Sequence, residues 1–465
     1  MLIRSAKVIF VTGIAITLSS IVTSLIGARS LGPAGRGDLL VVTLWPLVIA
    51  MLATLGLPNA FRYWMAKEPS RCSRLFSNAV VYTLIAGAIS IVLSDLIVPH
   101  LIGSRSPQVM LLARVYMINI PAVIFLSLMR GLLEGTKRFG WSGAARFIFF
   151  GVQAVGFSSL WAFNRLTVAT AAFTMIVAQL VSMLLALFAV CRELKPRWSP
   201  SWDEFRTSMH YGLRDYAGEI SDFTTLRLDQ MMMGGMASNV AMGLYVMAVR
   251  LSEITTFIAG ALADALMPEV AGSRKGDDPE ALLARTLRLT LYANVIMLVP
   301  LWLAAPLMLR ILFGQSFVPA TGAFRWLLVA AVVWSAGAIV IRGLQGFGHP
   351  GLTTLARFVS AIVTAITLLI LLPRMGITGA AISSLAGYIV LLAVSLAALV
   401  YRRKLGLWHY LRPQRQDIPF AKIRALTSFY LPARGASPTA REGVSETETP
   451  SLTVGLLPGG AGTEG

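Results

Sequence analysis

Apolar runs dominate the chain, and they recur at the length of membrane-crossing helices. Stretches of roughly 20 residues, enough to span a bilayer as a helix, fall near 8–28, 39–65, 75–97, 108–130, 144–163, 166–190, 209–236, 240–268, 286–312, 323–345, 352–373 and 379–401. They predict an all-α polytopic membrane protein with about twelve transmembrane helices. Most connections are short, and several are built from Gly and Pro. Leu31-Gly32-Pro33-Ala34-Gly35-Arg36-Gly37 reads as a loop of this kind. The first run is longer than the core of a cleavable signal, about 7–15 residues, so a retained helix is expected there.

Polar positions between the runs set the orientation. One set of connections carries Lys67, Arg71 and Arg74, then Lys137 and Arg138, then Arg192, Lys195, Arg197 and Arg206, and later Arg274, Lys275 and Arg285. Arg4 and Lys7 begin that set, and Arg402, Arg403 and Lys404 end it. The alternate set carries Arg29, Arg36, Arg105, Arg165 and Arg374. Positive charge concentrates on the cytoplasmic side, so both termini are expected there. This placement also accounts for much of the formal net charge of +18 without any need for nucleic acid.

The pattern repeats. Arg130-Gly131-Leu132, followed by Gly135, Phe139 and Gly140, is matched by Arg342-Gly343-Leu344, followed by Gly346, Phe347 and Gly348. Arg146-Phe147 is matched by Arg357-Phe358, and Gly35, Gly37 and Leu39 more weakly by Gly243-Leu244-Tyr245. Six helices per half make the repeats parallel, so two six-helix lobes are predicted, related by an axis along the membrane normal. The expected division is an N-lobe over 1–195, a linker over 196–208 and a C-lobe over 209–401. A basic membrane-surface segment follows over 402–431. The tail over 432–465, rich in Gly, Pro, Ser, Thr and Glu, is expected to be disordered.

One run breaks the pattern. Residues 210–236 hold Arg214, Asp215, Glu219, Asp222, Arg227 and Asp229. Facing lipid, each would cost roughly 2.5–3.5 kcal/mol near the bilayer centre. On a helix, Asp215, Glu219, Asp222 and Asp229 share an arc of about 80°. Such an acidic stripe suits a water-filled cavity or an ion pathway, while a face paired with basic neighbours is the plainer reading.

Composition agrees with a membrane protein: 56% hydrophobic and only 13% charged residues, against about 25% charged in soluble domains. Cys72 and Cys191 both fall in expected cytoplasmic segments, so no disulfide is expected. Four histidines and two distant cysteines offer no metal-ligand spacing. No phosphate loop, HExxH or nucleophile elbow appears, so neither an enzyme nor a bound cofactor is expected.

Four segments carry a family likeness. They are Ala28-Arg29-Ser30-Leu31-Gly32-Pro33 with Gly35 and Gly37; Arg227-Leu228-Asp229-Gln230 with Gly243-Leu244-Tyr245; the repeated Arg-Gly-Leu at 130 and 342; and Gly376-Ile377-Thr378-Gly379-Ala380-Ala381. With these the chain resembles the Wzx-like polysaccharide-biosynthesis flippases of the multidrug/oligosaccharidyl-lipid/polysaccharide exporter superfamily, whose fold is MATE-like. Arg36-Gly37-Asp38 departs from the Gly-aromatic pattern of many such proteins. The resemblance implies export of a polyprenyl-diphosphate-linked oligosaccharide, an O-antigen or exopolysaccharide unit, from inner to outer leaflet by alternating access. It also implies coupling to H+ or Na+, a bacterial cytoplasmic membrane, and a setting shared with polysaccharide polymerase machinery.

On that reading, arginines at Arg62, Arg114 and Arg250 are the diphosphate candidates, because guanidinium is always charged and can pair twice with phosphate. Asp215, Glu219, Asp222, Asp229 and Glu253 are the candidate cavity acids and coupling-ion ligands. Snorkelling equally accounts for Arg62 and Arg114 near helix ends. Arg250 lies about 15 Å into its helix, at a depth similar to that of Asp222 on the preceding helix and one turn from Glu253, and contact among the three is expected. A cation or drug antiporter and a lipid II flippase are the neighbouring alternatives. A membrane glycosyltransferase or polymerase would need larger extramembrane loops than the sequence provides.

Overall fold

The structure is a computed structural model that describes residues 2–102, 106–272 and 278–412. Side chains in the first twelve residues and at several positions between 214 and 268 lie outside the described residues. Among them are Asp215, Glu219 and Asp222. The expected tail over 432–465, and the surface segment beyond Arg412, also lie outside them.

Among the described residues the fold is all helical. The helices are α1 (Leu2–Leu52), α2 (Leu57–Lys67), α3 (Cys72–Ile102), α4 (Pro107–Tyr116), α5 (Asn119–Gly135), α6 (Phe139–Ala162) and α7 (Val168–Leu194). They continue as α8 (Trp202–Met236), α9 (Asn239–Ala271), α10 (Pro279–Phe313), α11 (Thr321–Gly346), α12 (Pro350–Arg403) and the short α13 (Leu407–Leu411). Eight segments of the described residues are long and apolar enough to cross a membrane. Two of these double back. In α1 the chain reverses at Gly32 (φ 64°), and in α12 at Gly376 (φ 57°). Positive φ costs glycine nothing sterically, so one residue turns the helix where a loop was expected. The halves of α12 then pack together, with Ser360 Oγ donating to the Gly387 carbonyl at 2.8 Å. Counting both reversals and adding α8 and α9 gives the twelve predicted passes.

Two passes that read as single runs are broken. The run over 39–65 divides at Leu55 and Gly56, both with positive φ, before α2 begins. The carbonyls freed at that break are taken up by side chains: Tyr82 donates its hydroxyl to Ala53 O and Tyr216 to Leu52 O. The run over 108–130 divides at Met117 and Ile118, between α4 and α5.

Helix starts follow ordinary capping chemistry. Thr167 and Thr170 form a reciprocal capping box at α7. Ser201 accepts from Glu204 N at α8, whose first turn carries Asp203 and Glu204 at the positive end of the helix dipole. Cys72 and Cys191 are free thiols. Past α12, Tyr410 of α13 is buried and Arg288 donates to the His409 carbonyl at 3.2 Å, which ties residues 407–411 to α10.

The first seven helices meet the later ones along two seams. At one, Gly37 lies on the Asn239 carbonyl and Gly243 on the Pro33 carbonyl; a Cβ at either would collide with backbone. Asp38 accepts from the Asn239 amide beside them. Arg29 donates to the carbonyls of Leu312, at 3.0 Å, and Ile311 at the C-terminus of α10, where a cation meets the negative end of the dipole. At the other seam Gly56 and Gly212 abut, Tyr216 caps Leu52, and the rings of Tyr63 and Tyr211 stack at 4.4 Å.

Candidate functional site

Between the seams lies a cavity of about 110 Å³. The first pass of α1 supplies Ser20, Thr23 and Ser24. Past the Gly32 reversal the same helix supplies Arg36 and Thr43. Gln153 and Phe157 come from α6, Arg227 and Gln230 from α8, and Arg250 from α9. Three guanidiniums therefore converge on one cavity from both halves of the chain. The Arg250 side chain is 48% exposed although its helix is packed within the fold, so its charged end looks into this space.

The cavity is rich in donors. Buried N–H groups at Arg36 Nε, Gln153 Nε2 and Gln230 Nε2 have no hydrogen-bond partner among the described residues. Buried polar groups are rarely left so, because each forfeits hydration without a return. Three cations, with two further unmet amide donors on Gln153 and Gln230, make a site complementary to a multivalent anion.

A second cavity, of about 300 Å³, adjoins it. Arg227 lines both. Here the chemistry changes sign: Asp229, Glu253, Thr256 and Tyr388 join Arg227, with Trp334 of α11 as an apolar wall. Glu253 is held by two guanidiniums, Arg227 at 3.4 Å and Arg250 at 3.6 Å. Asp229 is only 7% exposed and well bonded. It accepts from the Tyr245 hydroxyl, from Ser384 Oγ at 3.1 Å and from Gln230 N at 2.7 Å. Asp229 is thus bonded by neutral local donors, whereas the contacts of Glu253 are with two arginines.

These two cavities sort the predicted residues. Arg250 lines the first, and its expected contact with Glu253 is present. Asp229 and Glu253 line the second. Arg62 and Arg114 line neither. Arg62 pairs with Glu134 at 2.5 Å and Arg114 with Asp95 at 2.9 Å, each with about half of its side chain exposed. Asp215, Glu219 and Asp222 stand on α8, with side chains outside the described residues. Sequence reasoning missed Arg36, Gln153 and Gln230, and counted Arg227 only as part of the charged helix. Arg36 was hidden by its setting among Gly and Pro, which read as a loop. Its signal was Pro33, a residue favoured in the first turn of a helix.

Together these features define a polytopic helical membrane protein with a polar, positively charged centre between two pseudo-repeated halves. Residues 2–272 match the sequence profile of the family described as "Polysaccharide biosynthesis protein", and the chain belongs to that family. It is 22% identical over 223 residues, 47% of its length, to the "Probable low-salt glycan biosynthesis flippase Agl15" of Haloferax volcanii. That match spans about half, 46%, of the curated relative. Among solved structures, the fold resembles the lipid II flippase MurJ in an inward closed conformation. The TM-score is 0.70 at 11% identity, covering 91% of this chain and 98% of that one. It also resembles an inward-facing multidrug resistance MATE family transporter of the MOP superfamily. There the TM-score is 0.68 at 17% identity, covering 84% of this chain and 94% of that one.

Proposed function

We propose that this protein flips a polyprenyl-diphosphate-linked oligosaccharide across the bacterial cytoplasmic membrane by alternating access, with H+ or Na+ linked to the cycle. The observation that carries this reading is the central cavity: Arg36, Arg227 and Arg250, with buried, unpartnered amide N–H groups on Gln153 and Gln230. Guanidinium pairs with phosphate oxygens through parallel hydrogen bonds, and a diphosphate offers acceptors on both sides. A cationic drug would meet three like charges there, which disfavours the drug-antiporter reading. Lipid II carries the same diphosphate, and the likeness to MurJ keeps a lipid II substrate as a second reading; the sugar separates the two.

In this proposal residues 1–195 and 209–401 are the moving lobes, and the linker over 196–208 lies on the cytoplasmic side with both termini. The Gly37 seam then faces outward and the Gly56 seam toward the cytoplasm. Cysteines at positions 70, 195 and 403 should label from the cytoplasm, and those at 35 and 316 from outside. External labelling at position 195 would overturn that orientation.

The function is tested by reconstituting the protein with lipid-linked oligosaccharide and measuring its delivery to the outer leaflet. Arg36→Ala and Arg250→Ala should each lower the rate at least tenfold at normal membrane abundance, since a charge-assisted hydrogen bond is worth about 1.5–3 kcal/mol. Wild-type rates in both variants would refute the cavity as the diphosphate site.

A further inference from the structure

Glu253 stands between the two cavities and belongs electrostatically to both. Its carboxylate is the shared partner of Arg227 and Arg250, and both of these guanidiniums line the central cavity. The carboxylate itself opens into the neighbouring cavity. A group that occupies Arg227 or Arg250 from one side therefore changes what Glu253 must bind on the other.

We infer that Glu253 is a relay that makes anion binding in the central cavity and monovalent-cation binding in the adjacent cavity reinforce each other. This rests on the diphosphate reading of the central cavity. Three guanidiniums against one shared carboxylate leave a net charge of about +2, which matches a dianionic diphosphate diester. When the anion takes Arg250 and Arg227, Glu253 loses its partners and gains a negative neighbour. Both effects raise its affinity for a cation, either a proton or a sodium ion. When the anion leaves, the arginines return to Glu253 and expel the cation. By reciprocity, a cation on Glu253 releases the arginines for the anion.

The other groups that face Glu253 do not cancel this. Among the described residues, Asp229 on α8 is already satisfied by Tyr245, Ser384 and the Gln230 N–H. Tyr388 comes from α12, and α11 contributes Trp334 and aliphatic side chains to the cavity wall. Among the described residues Arg227 and Arg250 are the cationic partners of Glu253, and both line the anion's cavity. The sign of the linkage has a consequence for transport. Substrate and cation load together, so an inward cation gradient restrains export, and the substrate gradient and the membrane potential acting on the remaining negative charge supply the drive.

The test uses the purified full chain in lipid nanodiscs and inorganic pyrophosphate as the probe. Binding is measured by calorimetry in sodium or choline medium, and in two buffers of different ionisation enthalpy to read proton uptake. Wild-type protein should bind pyrophosphate at least about fivefold more tightly in sodium, or take up part of a proton in choline. Glu253→Gln should bind pyrophosphate at least as well as wild type and lose both dependences. Glu134→Gln, which alters a carboxylate remote from both cavities, should keep them. Persistence of the dependence in Glu253→Gln, or pyrophosphate binding indifferent to cation and proton in the wild type, overturns the relay. Arg250→Gln gives an independent reading should Glu253→Gln fail to fold. With one guanidinium gone, sodium should bind without pyrophosphate, or a carboxylic C=O stretch should appear in the infrared difference spectrum. Neither change in that variant also overturns the relay. Absence of pyrophosphate binding in wild type, or binding unaffected by Arg36→Ala with Arg250→Ala, overturns the diphosphate reading instead.

Discussion

The two seams that join the halves of this protein are built on different plans. At the Gly37 seam the contacts are reciprocal. Gly37 meets Asn239 and Gly243 meets Pro33. Position 33 stands to 239 as 37 stands to 243, an offset of 206 residues in each case. Exchanging the halves maps one contact onto the other, as in an isologous two-fold interface. At the Gly56 seam unlike pieces meet: the break between α1 and α2 lies against the N-terminal half of α8. Backbone carbonyls there are capped by tyrosine, and an aromatic stack lies alongside. At the symmetric seam a Cβ on either glycine would run into a carbonyl of the other half. The asymmetric one adds hydrogen bonds and stacked rings to its glycine contact. Under the proposed cycle these seams part in turn, so they should fail differently when altered.

The largest effect is expected at the symmetric seam. Gly37→Ala and Gly243→Ala each force a methyl group into a neighbouring carbonyl. Overpacking of about 3 kcal/mol against the closed form would lower its population by on the order of a hundredfold. Transport should be lost, and a cysteine at position 24 in the cavity should become permanently reactive from the Gly37 side. Unchanged reactivity would show that the seam adjusts and is not a gate.

Gly212→Ala should be milder. Its methyl would come within 2.9 Å of Gly56 and Leu55 backbone atoms at a break that already departs from helix. A cost of about 1 kcal/mol predicts a several-fold slower rate with accessibility raised from the opposite side. Labelling that rises on the Gly37 side instead would reverse the assignment of the seams.

Smaller again is Tyr216→Phe, which removes the donor to Leu52 O while keeping the ring. A net loss of about 0.5–1.5 kcal/mol is expected, seen as a lower Tm in detergent and transport reduced less than tenfold. A double-mutant cycle with Tyr82→Phe, whose hydroxyl serves the next carbonyl, should show coupling between the two. Strict additivity would mean that the break is not a single unit.

The smallest effect is expected away from both seams. Arg114 and Asp95 form a pair with about half of each side chain exposed, and such pairs contribute about 0–1 kcal/mol. Arg114→Ala should transport within about twofold of wild type. A tenfold loss at normal abundance would restore Arg114 as a substrate contact and weaken the central-cavity reading.

Much of this architecture was determined by the sequence alone. The number of passes follows from the length and spacing of apolar runs, because a helix that crosses lipid must satisfy its backbone internally over a fixed thickness. The parallel halves follow from the matched Arg-Gly-Leu and Arg-Phe positions. The pair Arg250–Glu253 was legible because residues three apart share a helix face. Tertiary structure decided the rest, and for a physical reason: a charge shows its cost locally, but its partner is set by the fold. Arg62, Arg114 and Arg250 read alike as arginines in apolar surroundings. The fold gives the first two carboxylates, Glu134 and Asp95, outside the cavities, and turns the third inward. Arg36 passed for a loop residue until Gly32 reversed the helix within a single residue and carried it into the centre. Gly37 and Gly243 could be seen as counterparts in a repeat, but only packing reveals that each closes against the other's half.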